Sequence, residues 1–69
     1  MAQRADKSII AVGTKYRRVR GDYEVRAIVD AEYVVVRTWS EQFRAWVYSV
    51  EMLTVLEALL KDGTYQVIE

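Results

Sequence analysis

The side chains able to do chemistry in this chain are lysines, arginines, carboxylates and aromatics, because its 69 residues include no histidine and no cysteine. Catalysis would therefore depend on carboxylates, without the commonest general base, the strongest nucleophile or the usual transition-metal ligands. The nearest pairs are Asp22 with Glu24 and Asp30 with Glu32, which lie at or beside predicted turns, where charges solvate a surface. The three glycines form no phosphate-binding loop. We expect no enzyme activity, no catalytic residue, no metal and no cofactor.

A basic run at residues 15–20 is the strongest local charge signal. Its arginines surround an aromatic residue, a composition that can contact phosphates and stack on a base in small nucleic-acid-binding barrels. Other interpretations are a solvated edge strand, where basic side chains discourage aggregation, and a contact for an acidic protein. Ten basic and ten acidic residues give zero net charge, which favours the solvated edge. The nucleic-acid-binding candidates are Lys15, Tyr16, Arg17, Arg18 and Arg20.

Aromatic residues concentrate in residues 33–50, which hold both tryptophans, the only phenylalanine and two of the five tyrosines. Aromatics beside arginines are typical of interface hot spots. We expect Trp46 and Tyr48 in the core, whereas Trp39 and Phe43 flank a polar link and are harder to bury. The candidate protein-interface residues are Tyr33, Val35, Arg37, Trp39, Phe43 and Arg44.

Short strands joined by tight turns must position these residues. Residues 23–30 alternate with a period of two, which predicts a half-buried antiparallel strand after a turn at Gly21-Asp22. Ala31-Glu32 links it to a returning strand at residues 33–39, whose two faces are both apolar, as in a strand covered on both sides. A domain of this size can hardly supply the second cover, so we expect a partner chain there. One face of the strand at residues 23–30 would carry Tyr23, Val25, Ala27 and Val29.

The last third of the chain changes period. Ser49 is a suitable N-cap, and apolar residues at helical spacing predict an amphipathic helix over residues 50–61. Residues 64–68 then alternate as a short closing strand. Near the start, residues 8–12 either pair at a sheet edge or cover one end of the core. The polar residues 1–8 predict a flexible N-terminal tail before a single domain at 9–69.

This order of elements predicts a mainly β, β-rich α+β fold with four to five antiparallel strands, one C-terminal helix and a closing strand. Because an open sheet of this size would expose its edges, we expect closure into a small SH3-like barrel. The motifs at 12–18, 23–25 and 45–52 resemble small bacterial and phage SH3-like domains of unknown function, which open on Gly-x-x-Tyr-Arg and end on Trp-Val-x-x-x-Glu-Met-Phe. Here Leu53 follows Met52, and a helix and a strand continue the chain. The resemblance implies the fold and no activity.

These observations predict a non-catalytic binding domain that acts through protein–protein contact and self-associates as a homodimer. A chain this short buries only about 60% of its unfolded surface, and it has no disulfide to stabilise it. A phage or mobile-element protein that modulates a host factor fits by analogy. The alternative is a nucleic-acid-binding accessory or regulatory protein that uses the basic run. No apolar run approaches the roughly 20 residues that span a bilayer, and the N-terminus lacks a signal-peptide pattern, so we expect a cytoplasmic protein with no membrane partner.

Overall fold

A computed structural model describes residues 9–68, and the predicted tail at 1–8 lies outside the described residues. Its elements are β1 (Lys15–Arg18), β2 (Gly21–Val29), β3 (Tyr33–Ser40), β4 (Ala45–Met52), α1 (Leu53–Lys61) and β5 (Gln66–Ile68). The five strands form one antiparallel sheet in the order β4-β3-β2-β1-β5. The mainly β class with one short helix is therefore confirmed.

The sheet is open and does not close into the expected barrel. Among residues 9–68, β4 pairs with β3 alone and the three-residue β5 with β1 alone, so no ladder joins the two edges. After β4 at one edge, α1 leads the chain to β5, which pairs with β1 at the other edge, so the last strand extends the sheet instead of joining its two edges. No helix within the same residues is long and apolar enough to cross a membrane.

The open sheet is nevertheless strongly curled. Arg18 on β1 bonds Glu51 on β4, with Nη1 and Oε2 2.9 Å apart. Those strands are three positions apart in the sheet, about 14 Å when a sheet is flat. The ladders also align Lys15 with Tyr48, and Arg18 and Glu51 lie three residues from this row in opposite directions, which adds about 20 Å along the strands. The contact therefore requires curvature. We define the concave face as the side on which Arg18 and Glu51 meet, and the convex face as the other side.

The hydrophobic core lies on the concave face. Val25 on β2 pairs with Val36 on β3, and Leu56 of α1 packs against this side of the sheet. Ile10 is buried and lies outside any strand, so this one residue of the segment 9–12 contributes to the core, while Ile9 and Val12 are exposed. The fully or nearly fully buried residues are Ile10, Tyr16, Val25, Val34, Val36 and Leu56.

β2 departs from the predicted two-residue period. Its register with β3 shifts between Val25 and Ala27, because Arg26 is an extra residue in β2. Beyond this bulge Ile28 pairs with Val34 and lies on the concave face with Val25. The sequence pattern predicts Ala27, and not Ile28, on the same face as Val25. A bulge of this kind re-aims the residues that follow it, and the alternation of the sequence does not reveal it.

Both turns beside β2 differ from the expected ones. The β1–β2 turn consists of Val19 and Arg20, two positions before the predicted Gly21-Asp22, which belongs to β2. The β2–β3 turn includes Asp30 and Ala31 with φ of 54° and 53°. Two consecutive positive φ values match the twist of the flanking strands, and here they occur without glycine.

The helix begins three residues later than predicted, since α1 spans Leu53–Lys61. β4 stays paired with β3 as far as Met52, which lies opposite Tyr33, and the expected cap Ser49 is inside this ladder. Met52 occupies the N-cap position and makes no side-chain capping hydrogen bond. Strand pairing therefore outweighs a local capping signal, as tertiary context commonly does.

Candidate protein-interaction surface

The convex face of β3, β4 and the end of β2 carries a continuous run of partly exposed apolar side chains. Trp39 lies opposite Trp46 and Tyr33 opposite Met52, so alternate residues of both strands project from this face. Each of the seven residues concerned is between 43% and 65% exposed. We name this surface the apolar stripe, and its residues are Val29, Tyr33, Trp39, Trp46, Tyr48, Val50 and Met52.

The apolar stripe is at the upper end of the size range of apolar patches on ordinary monomers. With roughly 150–250 Å² for each fully exposed residue, the observed exposures amount to about 700 Å² over the stripe, polar backbone atoms included. The largest patch on a typical monomer is about 300–600 Å², and a standard complex buries about 800 Å² per partner. The stripe therefore has the size of one side of a protein–protein interface.

Trp46 and Tyr48 do not lie in the core, contrary to the sequence-based expectation. They are 44% and 55% exposed. β4 is an edge strand, and Leu56 shows that α1 packs against the concave face, away from these two side chains. Alternation correctly places both residues on one side of β4, but the sequence does not tell which side the helix buries. They are therefore added to the candidate interface.

The predicted interface residues lie in two places. Trp39 is on the apolar stripe with Tyr33, and its ring packs edge-on against that of Trp46 with centroids 5.4 Å apart. Val35 lies between Tyr33 and Trp39 on the same face of β3 and is partly buried.

Phe43 is exposed in the β3–β4 turn, and so is its neighbour Arg44. The hairpin thus brings most of these candidates to its convex face and its tip.

Arg37 holds the aromatic part of this surface in place. Its guanidinium lies 3.8 Å from the centroid of the Trp46 ring and donates from Nε to Oε1 of Glu24 over 3.0 Å. This hydrogen bond lowers the pKa of the Glu24 carboxyl below its ordinary value, with the charges of Arg37, Arg26 and Lys15 acting in the same direction. The Trp46 ring is therefore held between the Arg37 guanidinium and the ring of Trp39.

A shallow groove of about 600 Å³ adjoins the tryptophan pair. Its charged lining includes Glu24 and Arg37, which neutralise each other, and Asp22, which bonds Arg17 over 3.0 Å. Lys15 is near them, without an ion pair among the described residues. An apolar centre with a polar margin is the usual composition of a protein interface. The groove is lined by Lys15, Asp22, Tyr23, Glu24, Arg37, Trp39, Trp46 and Ile68.

The basic run does not form one exposed surface. Tyr16 is fully buried, and Arg18 lies on the concave face with its guanidinium 4.5 Å and 4.9 Å from the ring centroids of Tyr23 and Tyr65. Arg17 is neutralised by Asp22. Within residues 9–68 this leaves Lys15 and Arg20 as the candidates of this run with no ion pair.

The hydroxyl of Tyr16 is the one buried side-chain polar atom of the described residues that has no hydrogen-bond partner. Burial raises the pKa of this phenol well above its usual range, and the negative charge of Glu51 raises it further, partly offset by Arg18. The Tyr16 ring stacks on Tyr23 and on Tyr65 with centroids 5.7 Å apart in both cases. Its place in the core indicates a packing role and not a contact with nucleic acid.

Comparison of the chain with protein-family models, with curated proteins and with solved structures finds no match. The resemblance to SH3-like domains therefore depends on the sequence motifs alone and stays a prediction.

Proposed function

We propose that this protein is a non-catalytic binding domain that acts through protein–protein contact, and that its partner is a second copy of the same chain. The observation that carries the proposal is the apolar stripe, seven aromatic and aliphatic residues with about 700 Å² of exposed surface that no described part of the chain buries. Arg37 orders one end of this surface over Trp46. Rigid aromatic residues with a fixed arginine are typical of interface hot spots.

Two further properties favour a second copy as the partner. The formal net charge of the chain is zero, so no long-range repulsion opposes the approach of two copies. Most soluble oligomers are two-fold symmetric, and a two-fold interface needs one self-complementary patch. A surface made largely of apolar side chains meets that condition without matched opposite charges.

The nucleic-acid alternative has less support. Of the five candidates in the basic run, Tyr16 is buried and Arg17 and Arg18 are paired with carboxylates, so a continuous phosphate-binding surface is lacking in the described residues. An anisotropy titration at several salt concentrations tests it. Tight binding with a steep salt slope that disappears in the Lys15→Glu, Arg20→Glu double variant would favour nucleic acid over protein contact.

A separate proposal concerns the origin of the protein in a phage or mobile element. A phage or mobile-element protein that modulates a host factor would be expected to capture that factor through the same stripe. A pull-down from the source cell with the intact chain and with a stripe variant tests this, since specific capture must be lost in the variant.

Self-association is tested by the mass of the protein in solution. We expect sedimentation at micromolar concentration to show a dimer of about 16 kDa, twice the 8.0 kDa chain. Val50→Lys puts a charge on the stripe at a position that is 65% exposed, so the fold is kept and the dimer is lost. Val19→Lys is the matched control, because Val19 is 94% exposed in the β1–β2 turn. A monomer at every concentration, or equal effects of both variants, would contradict the proposal.

A further inference from the structure

β4 is an edge strand without the usual protection against pairing with another strand. It is eight residues long, carries no proline, lysine or arginine, and keeps an unbroken register with β3 from Met52 to Ala45. Its single charge, Glu51, turns to the concave face, where a charge can protect an edge, but Arg18 neutralises it across 2.9 Å. Natural edge strands are ordinarily short, bulged or charged, and β5 at the other edge has only three residues. The two edges therefore differ in their capacity to bind a strand.

The direction of the β4 backbone groups follows from one hydrogen bond beyond the end of the strand. The N–H of Leu53 donates to the carbonyl oxygen of Glu32 over 2.9 Å and so continues the β3–β4 ladder. In an antiparallel pair, alternate residues bond the same neighbour. Residues at odd positions from 45 to 53 therefore bond β3, and the N–H and C=O groups of Trp46, Tyr48, Val50 and Met52 point away from the sheet.

We propose that β4 pairs antiparallel with β4 of a second copy about a two-fold axis at Ser49, so that two five-stranded sheets join into one of ten strands. This inference rests on the proposed self-association and specifies how it occurs: the partner strand lies beside the β4 part of the apolar stripe, and the stripe residues of β2 and β3 stay on the outer face of the joined sheet. The four outward residues of each copy then bond the other copy with both backbone groups, which gives about eight hydrogen bonds. A strand with unpaired backbone groups is a template for this pairing.

The register follows from the ends of β4. With the axis at Ser49, Tyr48 lies opposite the partner's Val50 and Trp46 opposite the partner's Met52, so every outward residue has an outward partner. Moving the axis to Tyr48 places Met52 opposite the partner's Arg44, which lies in the turn with φ of 53°. Moving it to Val50 places Trp46 opposite the partner's helix, which begins at Leu53. Either shift loses hydrogen bonds.

Side-chain contacts and curvature support the same arrangement. The four residues whose backbone groups point away from the sheet all belong to the apolar stripe. Pairing therefore places an aromatic side chain of one copy beside an aliphatic side chain of the other, which is a favourable cross-strand combination. Face-to-face stacking of two stripes is the other arrangement, but the contact between Arg18 and Glu51 makes the stripe side convex. Two convex faces touch over a small area, whereas two edges meet along their full length.

Disulfide formation tests this register directly, because the chain has no cysteine of its own. Ser49 lies in a non-hydrogen-bonded pair with the partner's Ser49, where Cα atoms are about 4.5 Å apart and a disulfide fits. Val47→Cys is the control on the same face, since the two copies of residue 47 are four positions apart, about 14 Å. We expect the full-length Ser49→Cys variant to form a covalent dimer on the order of tenfold faster than Val47→Cys.

Proline substitution tests the backbone contact without cross-linking. Val50→Pro removes an N–H that points away from β3, so the hairpin is kept, as proline is tolerated at such positions of edge strands. We expect loss of the dimer in Val50→Pro and its retention in Val50→Ala, with circular dichroism showing that both fold. Dimerisation of Val50→Pro as strong as that of Val50→Ala would overturn the edge pairing.

The outcomes separate this inference from the proposed function. If the unmodified chain is dimeric but Ser49→Cys cross-links no faster than Val47→Cys, the edge pairing is overturned and self-association by another arrangement stands. If the unmodified chain is monomeric, both are overturned. Fast cross-linking of Ser49→Cys together with loss of the dimer in Val50→Pro supports both.

Discussion

Each face of the sheet has an arginine that packs on an aromatic ring and bonds a glutamate, but the two arginines have different surroundings. On the concave face Arg18 packs on tyrosine rings and bonds Glu51, and on the convex face Arg37 packs on Trp46 and bonds Glu24. The concave set lies beside the core and ties β1 to β4, two strands that do not pair. The convex set joins neighbouring strands and stays beside exposed apolar surface. An arginine on an aromatic ring therefore stabilises the fold on one side and presents a contact surface on the other.

The largest contrast between the faces is expected from truncation of an aliphatic side chain. Leu56→Ala removes the fully buried contact of α1 with the concave face and should destabilise the domain by about 2–5 kcal/mol. Val50→Ala removes an exposed convex side chain and should change the stability of the monomer by less than about 1 kcal/mol. Denaturant unfolding at a concentration below dimer formation measures both. Similar losses in the two variants would show that the convex face is part of the core.

A smaller contrast is expected between the two glutamates. Glu51→Gln should lower the free energy of unfolding by about 1–3 kcal/mol, because it leaves the partly buried Arg18 without a carboxylate partner and weakens the contact between β1 and β4. Glu24→Gln should lower the free energy of unfolding by less than Glu51→Gln does, since β2 and β3 stay joined by their backbone hydrogen bonds. Thermal unfolding of both variants at neutral pH and low salt makes the comparison. A larger effect of Glu24→Gln would reverse the roles assigned to the two faces.

The smallest effect is a pH dependence that belongs to Tyr16. Burial raises its pKa in the folded protein, and the unfolded chain releases the phenolic proton near pH 10. The folded state therefore holds a proton that the unfolded state loses, so stability is fully present below about pH 10 and falls as the pH rises above it. Tyr16→Phe should reduce this alkaline loss and, because the hydroxyl has no hydrogen-bond partner, leave stability at pH 7 unchanged or raised. Unfolding of both proteins between pH 7 and 11 measures the difference, and an unaltered alkaline loss in Tyr16→Phe would contradict this assignment.

The division of β3 between the two faces could be predicted from the sequence. Its two-residue period places Val34 and Val36 on one side and Tyr33 and Trp39 on the other, and in the structure the first pair is buried and the second about half exposed. Alternation is a property of any extended strand, so it needs no knowledge of the remaining chain.

The choice of the buried face of β4 could not be predicted in the same way. Trp46 and Tyr48 share one face in the sequence pattern, but their exposure depends on which side α1 packs, and this is set by long-range contacts of Leu56. The bulge at Arg26 and the position of Arg18 between two tyrosines also depend on distant strands. Local pattern gives the faces of a strand, and tertiary packing decides which one is covered.

Tryptophan fluorescence tests the central claim at the surface concerned, because Trp39 and Trp46 are the only tryptophans and both lie on the apolar stripe. Acrylamide quenching is measured over chain concentrations from nanomolar to high micromolar, with Val50→Lys as the control. If a second copy pairs with β4, Trp46 comes to lie beside the partner's Met52, so quenching falls and the emission shifts to shorter wavelength as the unmodified chain associates, while Val50→Lys stays constant. Quenching that is independent of concentration in both proteins would show that the stripe stays open to solvent and would contradict the account.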